Sequence, residues 1–196
     1  MTHTLYYKLL LGYLLFGFLG FVTIATFSSD MTYRHLLREE AEALYDEAVL
    51  IADNCSMAYE GKHVDLDSSY PQMDAVAVYL KADIWILDSR GRIIADTRRQ
   101  RVGAVIEDFD PVTQGNRLYT LGRYFGQFKE DVLSVSAPIT GNMNTYGYVV
   151  IHLPVSVVRA KQNDFLNLVY VAALILFGLP LIILLVFTTA VYLPRK

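Results

Sequence analysis

Four groups of side chains have types and spacings that could do chemistry. Arg98, Arg99 and Arg101 crowd positive charge into one short segment and could hold a carboxylate or phosphate through paired N–H donors. The plainer alternative is a solvated basic loop offset by nearby Asp and Glu. Glu107, Asp108 and Asp110 offer hard oxygen ligands to a divalent cation, but EF-hand spacing is absent, which favours a plain acidic turn. His63, Asp65 and Asp67 alternate and would share a face if extended, whereas Gly61 and Pro71 favour a wet loop. Tyr119 with Arg123, Ser134 with Ser136, and Tyr148 with His152 each fall two or four residues apart. On strands each pair projects to one face, giving aromatic walls and orienting polar groups for a small-ligand pocket; the alternative is an exposed face of ordinary Tyr and Ser.

No P-loop, Gly-x-Gly-x-x-Gly, His-Glu-x-x-His or Gly-x-Ser-x-Gly motif occurs. Catalysis is therefore not expected of this chain, and neither a cofactor nor a nucleic-acid partner is expected.

The elements that must position these groups follow from periodicity. From Asp30 no turn signal appears until Gly61, and helix formers dominate from Arg34 to Leu44, which predicts one long helix continuing outward from an apolar N-terminal segment. Leu37, Ala41, Leu44, Ala48, Ile51, Cys55 and Ala58 recur at spacings of four and three on it. That stripe serves either a helix packing on its own domain or a dimer seam. A short helix is expected over Gln72 to Leu80. Ala82 to Leu87 and Arg92 to Thr97, joined by Asp88-Ser89-Arg90-Gly91, read as a hairpin. Three more strands are expected at about Arg117 to Phe128, Asp131 to Thr140 and Tyr146 to Leu153, the last two joined through Gly141 to Asn144. In the middle one Leu133, Val135, Ala137 and Ile139 share a core face, with Ser134 and Ser136 on the other. A single antiparallel sheet backed by helices makes this an α+β domain.

The two ends are different. Residues 165–194 carry no Asp, Glu, Lys or Arg, and residues 9–29 are likewise uncharged behind Lys8. Each is long enough for a bilayer's hydrocarbon core of ~30 Å. A cleavable signal peptide competes for the first, but the run is long and Ala25-Thr26-Phe27 puts a bulky residue where a small one is needed. All 20 acidic residues lie between Asp30 and Asp164 together with 14 of the 17 basic ones, a net charge of −6 there, and the outer ends hold only Lys8, Arg195 and Lys196. The expected topology has both termini cytoplasmic: 1–8 inside, a span at 9–29, an exterior domain at 30–164, a span at 165–193 and a cytoplasmic linker from 194. Cys55 is the only cysteine, so no internal disulfide supports the exterior domain.

The run Trp85-Ile86-Leu87-Asp88-Ser89-Arg90-Gly91-Arg92-Ile93-Ile94-Ala95-Asp96-Thr97, then Leu133 to Ile139 and Gly147 to Ile151, all between two spans, resembles the extracytoplasmic PAS-like sensor domain, also called PDC or single Cache, of bacterial transmembrane histidine kinases. The resemblance implies a five-stranded antiparallel sheet behind a long N-terminal helix, a ligand pocket on the sheet, and a homodimer in the cell membrane. It also implies a HAMP linker starting near Pro194-Arg195-Lys196, with the kinase and its response regulator reached only through a part beyond this chain. The expected function is an input module that detects a small molecule, ion or protein partner outside. The input of a chemotaxis or nucleotide-cyclase receptor, or an accessory membrane protein complete at Lys196, are the alternatives.

Overall fold

The helix expected after the first apolar segment forms without a break. In the computed structural model, which describes residues 2–60, 66–110 and 118–192, α1 runs Thr2–Glu60. No Gly or Pro interrupts residues 21–60, so nothing in the sequence stops it there. By contact the chain forms two units, one of residues 1–34 with 160–196 and one of residues 35–159.

In the second unit, α2 spans Leu66–Leu80, starting earlier than the Gln72 expected; Pro71 lies inside it and withholds one backbone donor. Five strands follow: β1 Asp83–Asp88, β2 Ile93–Asp96, β3 Thr120–Gly122, β4 Val132–Gly141 and β5 Asn144–Pro154. They form one antiparallel sheet in the order β2-β1-β5-β4-β3. The α+β reading with a five-stranded antiparallel sheet is thus the observed fold. The second apolar helix, α3, spans Val155–Tyr192, beginning ten residues before the uncharged stretch.

Turn chemistry sets both hairpins. Asp88 Oδ1 accepts the N–H groups of Arg90 and Arg92 at 2.8 and 2.9 Å, and Gly91 takes φ +79°. A Cβ at Gly91 would also sit 2.8 Å from the Cβ of Phe109, so glycine is needed twice over. Between β4 and β5 only Asn142 and Met143 intervene, at φ 50° and 62°, the two left-handed residues of a type I′ turn.

Both faces of the sheet are covered. Ile84, Ile86, Leu133, Val135, Ala137, Ile139, Val149, Ile151 and Leu153 are buried on one face. The helices supply the matching apolar surface: Met73 and Ala77 of α2, and Leu37, Ala41, Leu44, Ala48, Ile51 and Cys55 of α1 are all buried within the single chain. The α1 stripe is therefore used inside its own domain; the side chain of Ala58 lies outside the described residues. On the other face, Trp85, Leu87, Ile93 and Val150 pack with Ile106, Tyr124 and Val132, and with the half-buried Phe109, Phe128 and Tyr148. The segment after β2 thus folds back over the side that carries Ser134 and Ser136.

In the first unit the two apolar helices are long enough to cross a membrane, and their most apolar windows are 0% and 6% buried. Leu11, Phe16, Leu174 and Leu176 are among the side chains they leave uncovered. Exposed apolar surface of that extent needs a lipid or protein partner.

Candidate functional site

Strand register brings Asp83 of β1, Ser134 of β4 and His152 of β5 into one row across the sheet, since His152 is the cross-strand partner of both others. One step along, Trp85 and Ser136 flank Val150 in the same way. These six side chains project to one face, and a cage of aromatic rings is built on them.

His152 is fully buried, with ring centroids of Trp85, Tyr124 and Phe128 at 4.3, 4.4 and 4.8 Å. Trp85 and Phe128 stack at 5.2 Å, and the guanidinium carbon of Arg101 lies 5.3 and 5.0 Å from their centroids. Arg101 also donates from Nη2 to the carbonyl of Gln127, tying the segment after β2 to the one before β4. His152 Nδ1 and Ser134 Oγ are 2.8 Å apart. If the serine donates, the imidazole proton sits on Nε2. Either tautomer leaves Nε2 buried without a hydrogen-bond partner among the described residues, together with Tyr124 Oη and Ser136 Oγ.

Burial is the main electrostatic cause here. It holds the His152 imidazole well below its ordinary value, reinforced by the positive charge of Arg101, so the ring is neutral. It pushes the Tyr124 phenol far up, and the Tyr148 phenol up with a smaller contribution from Asp110. The Asp83 carboxyl is raised by burial against the opposing pull of Arg98, its ion-pair partner. Asp96, also buried, accepts the backbone N–H groups of Arg98, Gln100 and Arg101, each at 3.0 Å, and so shapes the arginine segment.

The pocket expected from Tyr119, Arg123, Ser134, Ser136, Tyr148 and His152 is therefore partly assembled. Ser134, Ser136 and His152 come together and Tyr148 borders them half-buried. Tyr119 and Arg123 do not join. β3 is only three residues long because Tyr124 and Phe125 adopt φ 39° and 52°, which ends the strand. Arg123 is exposed and lines a separate groove of about 330 Å³ with Lys129, Glu130, Asp131, Val155, Ser156 and Arg159. Tyr119 lies toward Arg38 of α1, away from the row of Ser134 and His152.

The arginines do not converge on a shared anion site, because each has its own contact: Arg98 with Asp83, Arg99 with Asp74 at 3.6 Å and over the Tyr70 ring, Arg101 in the cage. Among the described residues no three His, Cys, Asp or Glu side chains are grouped to hold a metal ion; Glu107, Asp108 and Asp110 lie on a turn with Asp108 at φ 62°. His63 and Asp65, and the side chain of Asp67, lie outside the described residues. Sequence alone does not single out Trp85, Tyr124 and Phe128, because aromatics so far apart in the chain look like ordinary core; the signal available was Trp85 facing the same side as His152.

The Ser134–His152 pair is not arranged for hydrolysis. Both residues are buried, and Asp83 beside them is committed to Arg98 rather than to the imidazole. The arrangement is a closed aromatic lid over a polar floor with three unsatisfied groups.

The sequence matches no family model and none of the curated proteins. Among solved structures, the sensor domain of the V. cholerae histidine kinase DctB shares the fold with a TM-score of 0.52 at 11% identity, over 69% of this chain. This chain spans 57% of that structure. The E. coli DcuS sensor domain aligns with 64% of this chain and 98% of its own, at 20% identity and a TM-score of 0.47. The five-stranded antiparallel sheet behind a long N-terminal helix is thus a fold shared with the DctB sensor domain.

Proposed function

We propose that the chain is the input module of a membrane receptor: a domain outside the membrane detects a cue and passes it through the second apolar helix to the cytoplasmic side. One observation carries the reading. β5, a central strand of the sheet, ends at Pro154 and α3 starts at Val155, so His152 in the cage stands three residues from the helix that becomes the second span. Val155 N–H also bonds the carbonyl of Asp131 at 3.0 Å, fixing the root of α3 to the start of β4. A change in the cage has a short route along the chain into α3.

The part a cue would move is the lid. Tyr124 and Phe125 hold left-handed backbone conformations that cost non-glycine residues roughly 1–2 kcal/mol each. Ser136 Oγ and His152 Nε2 on the sheet and Tyr124 Oη in the lid itself are unsatisfied, and each such group costs about 1–3 kcal/mol when buried. A ligand that lifts Tyr124 and Phe128 and hydrogen-bonds Ser136 and His152 would recover both, and would bind the open form selectively, as a switch requires. Because the α1 stripe is spent inside the domain, pairing of two copies would use another side of α1, where Leu36, Ala43 and Leu50 are seven residues apart and at least partly exposed.

Topology is tested by thiol labelling in intact cells. Met143→Cys at the fully exposed β4–β5 turn should react with a membrane-impermeant maleimide and Lys8→Cys should not. Native Cys55 is buried, its thiol pushed up by desolvation, and stays unreactive. Labelling of Lys8→Cys alone would overturn the orientation.

A further inference from the structure

Within the membrane-length pair of helices, residue 177 is held from both ends by α1. Tyr13 Oη donates to the carbonyl of Phe177 at 2.7 Å. The Phe177 ring meanwhile lies across the glycines of α1: a Cβ at Gly20 would come within 2.8 Å of its Cζ, and one at Gly17 within 3.8 Å of its Cδ1. Nearer the domain the helices are joined by Gln162 Nε2 donating to the Ser29 carbonyl at 2.8 Å and by the Phe21 and Tyr170 rings at 6.0 Å.

Three residues beyond Phe177 stands Pro180. It has no N–H for the carbonyl of Leu176, and a proline ring crowds the preceding turn, the usual cause of a bend in a helix. In hydrocarbon no water is available to carbonyls on such a turn, so a neighbouring helix must supply the donor. Tyr13 donates to the next carbonyl on that turn, Phe177, whose own helical donor is the Leu181 N–H.

We infer that Tyr13 is a positioning residue of the transmembrane relay: its hydroxyl, with Gly17 and Gly20 seating the Phe177 ring, sets the bend of α3 at Pro180 from α1. The inference rests on the receptor reading above, but it is a statement about geometry and is measured without a cue or an output domain. Failure of either therefore shows separately. Displacement of α3 against α1 would change the bend by loosening this one bond.

The test uses the full chain with Cys55→Ser in phosphatidylcholine nanodiscs, spin-labelled at Leu15→Cys and Phe187→Cys and diluted with unlabelled chain so that only distances within one chain are read. Both positions are exposed. The arm from Pro180 to Phe187 is roughly 10 Å at ~1.5 Å per residue, so a bend change of about 20° displaces its end by about 3 Å. Tyr13→Phe, which removes only the hydroxyl, should shift or broaden the distance distribution by that amount. The same substitution made with Pro180→Ala should change nothing, because the turn is then closed. Gly20→Ala, which keeps the hydroxyl but pushes the ring, should reproduce the shift. Superimposable distributions for the parent chain and the Tyr13→Phe variant, or an equal effect of that substitution with and without Pro180, would overturn the inference. Unchanged Trp85 fluorescence in each variant confirms an intact exterior domain.

Discussion

Acid should unfold the sheet domain through His152, and the size of the effect can be worked from its surroundings. In the folded chain the imidazole is neutral: burial disfavours the cation first, and Arg101 adds repulsion. Around it stand the rings of Trp85, Tyr124 and Phe128 and the hydroxyl of Ser134, with Asp83 already paired to Arg98. Unfolded, the same histidine has an ordinary value near 6.5 and takes up a proton below it. The unfolded state then binds more protons than the native one, so stability is complete above that value and falls as pH drops, by up to about 1.4 kcal/mol per unit. The loss accumulates at that slope for as long as the native ring stays neutral. Asp83 works in the opposite direction: its raised value means the native state takes the proton more readily, so stability rises as pH falls through the carboxylate range. Asp83→Asn should therefore steepen the acid loss. Urea midpoints in detergent, followed through Trp85, the only tryptophan and 4.3 Å from the imidazole centroid, read the site itself. His152→Gln should flatten the pH slope in this window. An unchanged slope in that variant would refute the assignment.

Two further substitutions probe the frame of the cage. Gly147→Ala would set a Cβ 2.2 Å from the carbonyl oxygen of Leu87, backbone that cannot move without parting β1 from β5, and should cost on the order of 3 kcal/mol in thermal unfolding. Asp96→Ala removes the acceptor of three backbone N–H groups and should cost about 3 kcal/mol, with Asp96→Asn losing less; unaltered midpoints would show that the arginine segment is shaped by something else.

Much of the fold was legible because period and turn chemistry agreed. Asp88 to Gly91 between two β-rich runs could hardly be anything but a hairpin, and the apolar ends declared two long helices. β3 was overextended because Tyr124 and Phe125, residues that ordinarily favour strands, sit in left-handed conformations that only the packing of Tyr124 against Trp85 and His152 explains. The same long-range packing hid the cage. Spacing put Ser134, Ser136 and His152 on a shared face, but only register shows that His152 stands between Asp83 and Ser134. The arginines misled in the other direction: adjacency in sequence suggested one site, while Asp96 turns the backbone so that Arg98, Arg99 and Arg101 reach Asp83, Asp74 and Gln127 separately.

The central claim is that the state of the cage reaches the cytoplasm through α3. The most direct measurement joins the chain at Lys196 to the cytoplasmic part of a histidine kinase and follows autophosphorylation in membranes. Phe128→Ala and Tyr124→Ala, which unseat the lid, should change the output severalfold relative to the parent chimera at equal expression, and Pro154→Gly-Gly-Gly, which loosens the joint between β5 and α3, should abolish that difference. Output indifferent to the lid variants, in a chimera whose rate still responds to substitutions within α3, would contradict the account.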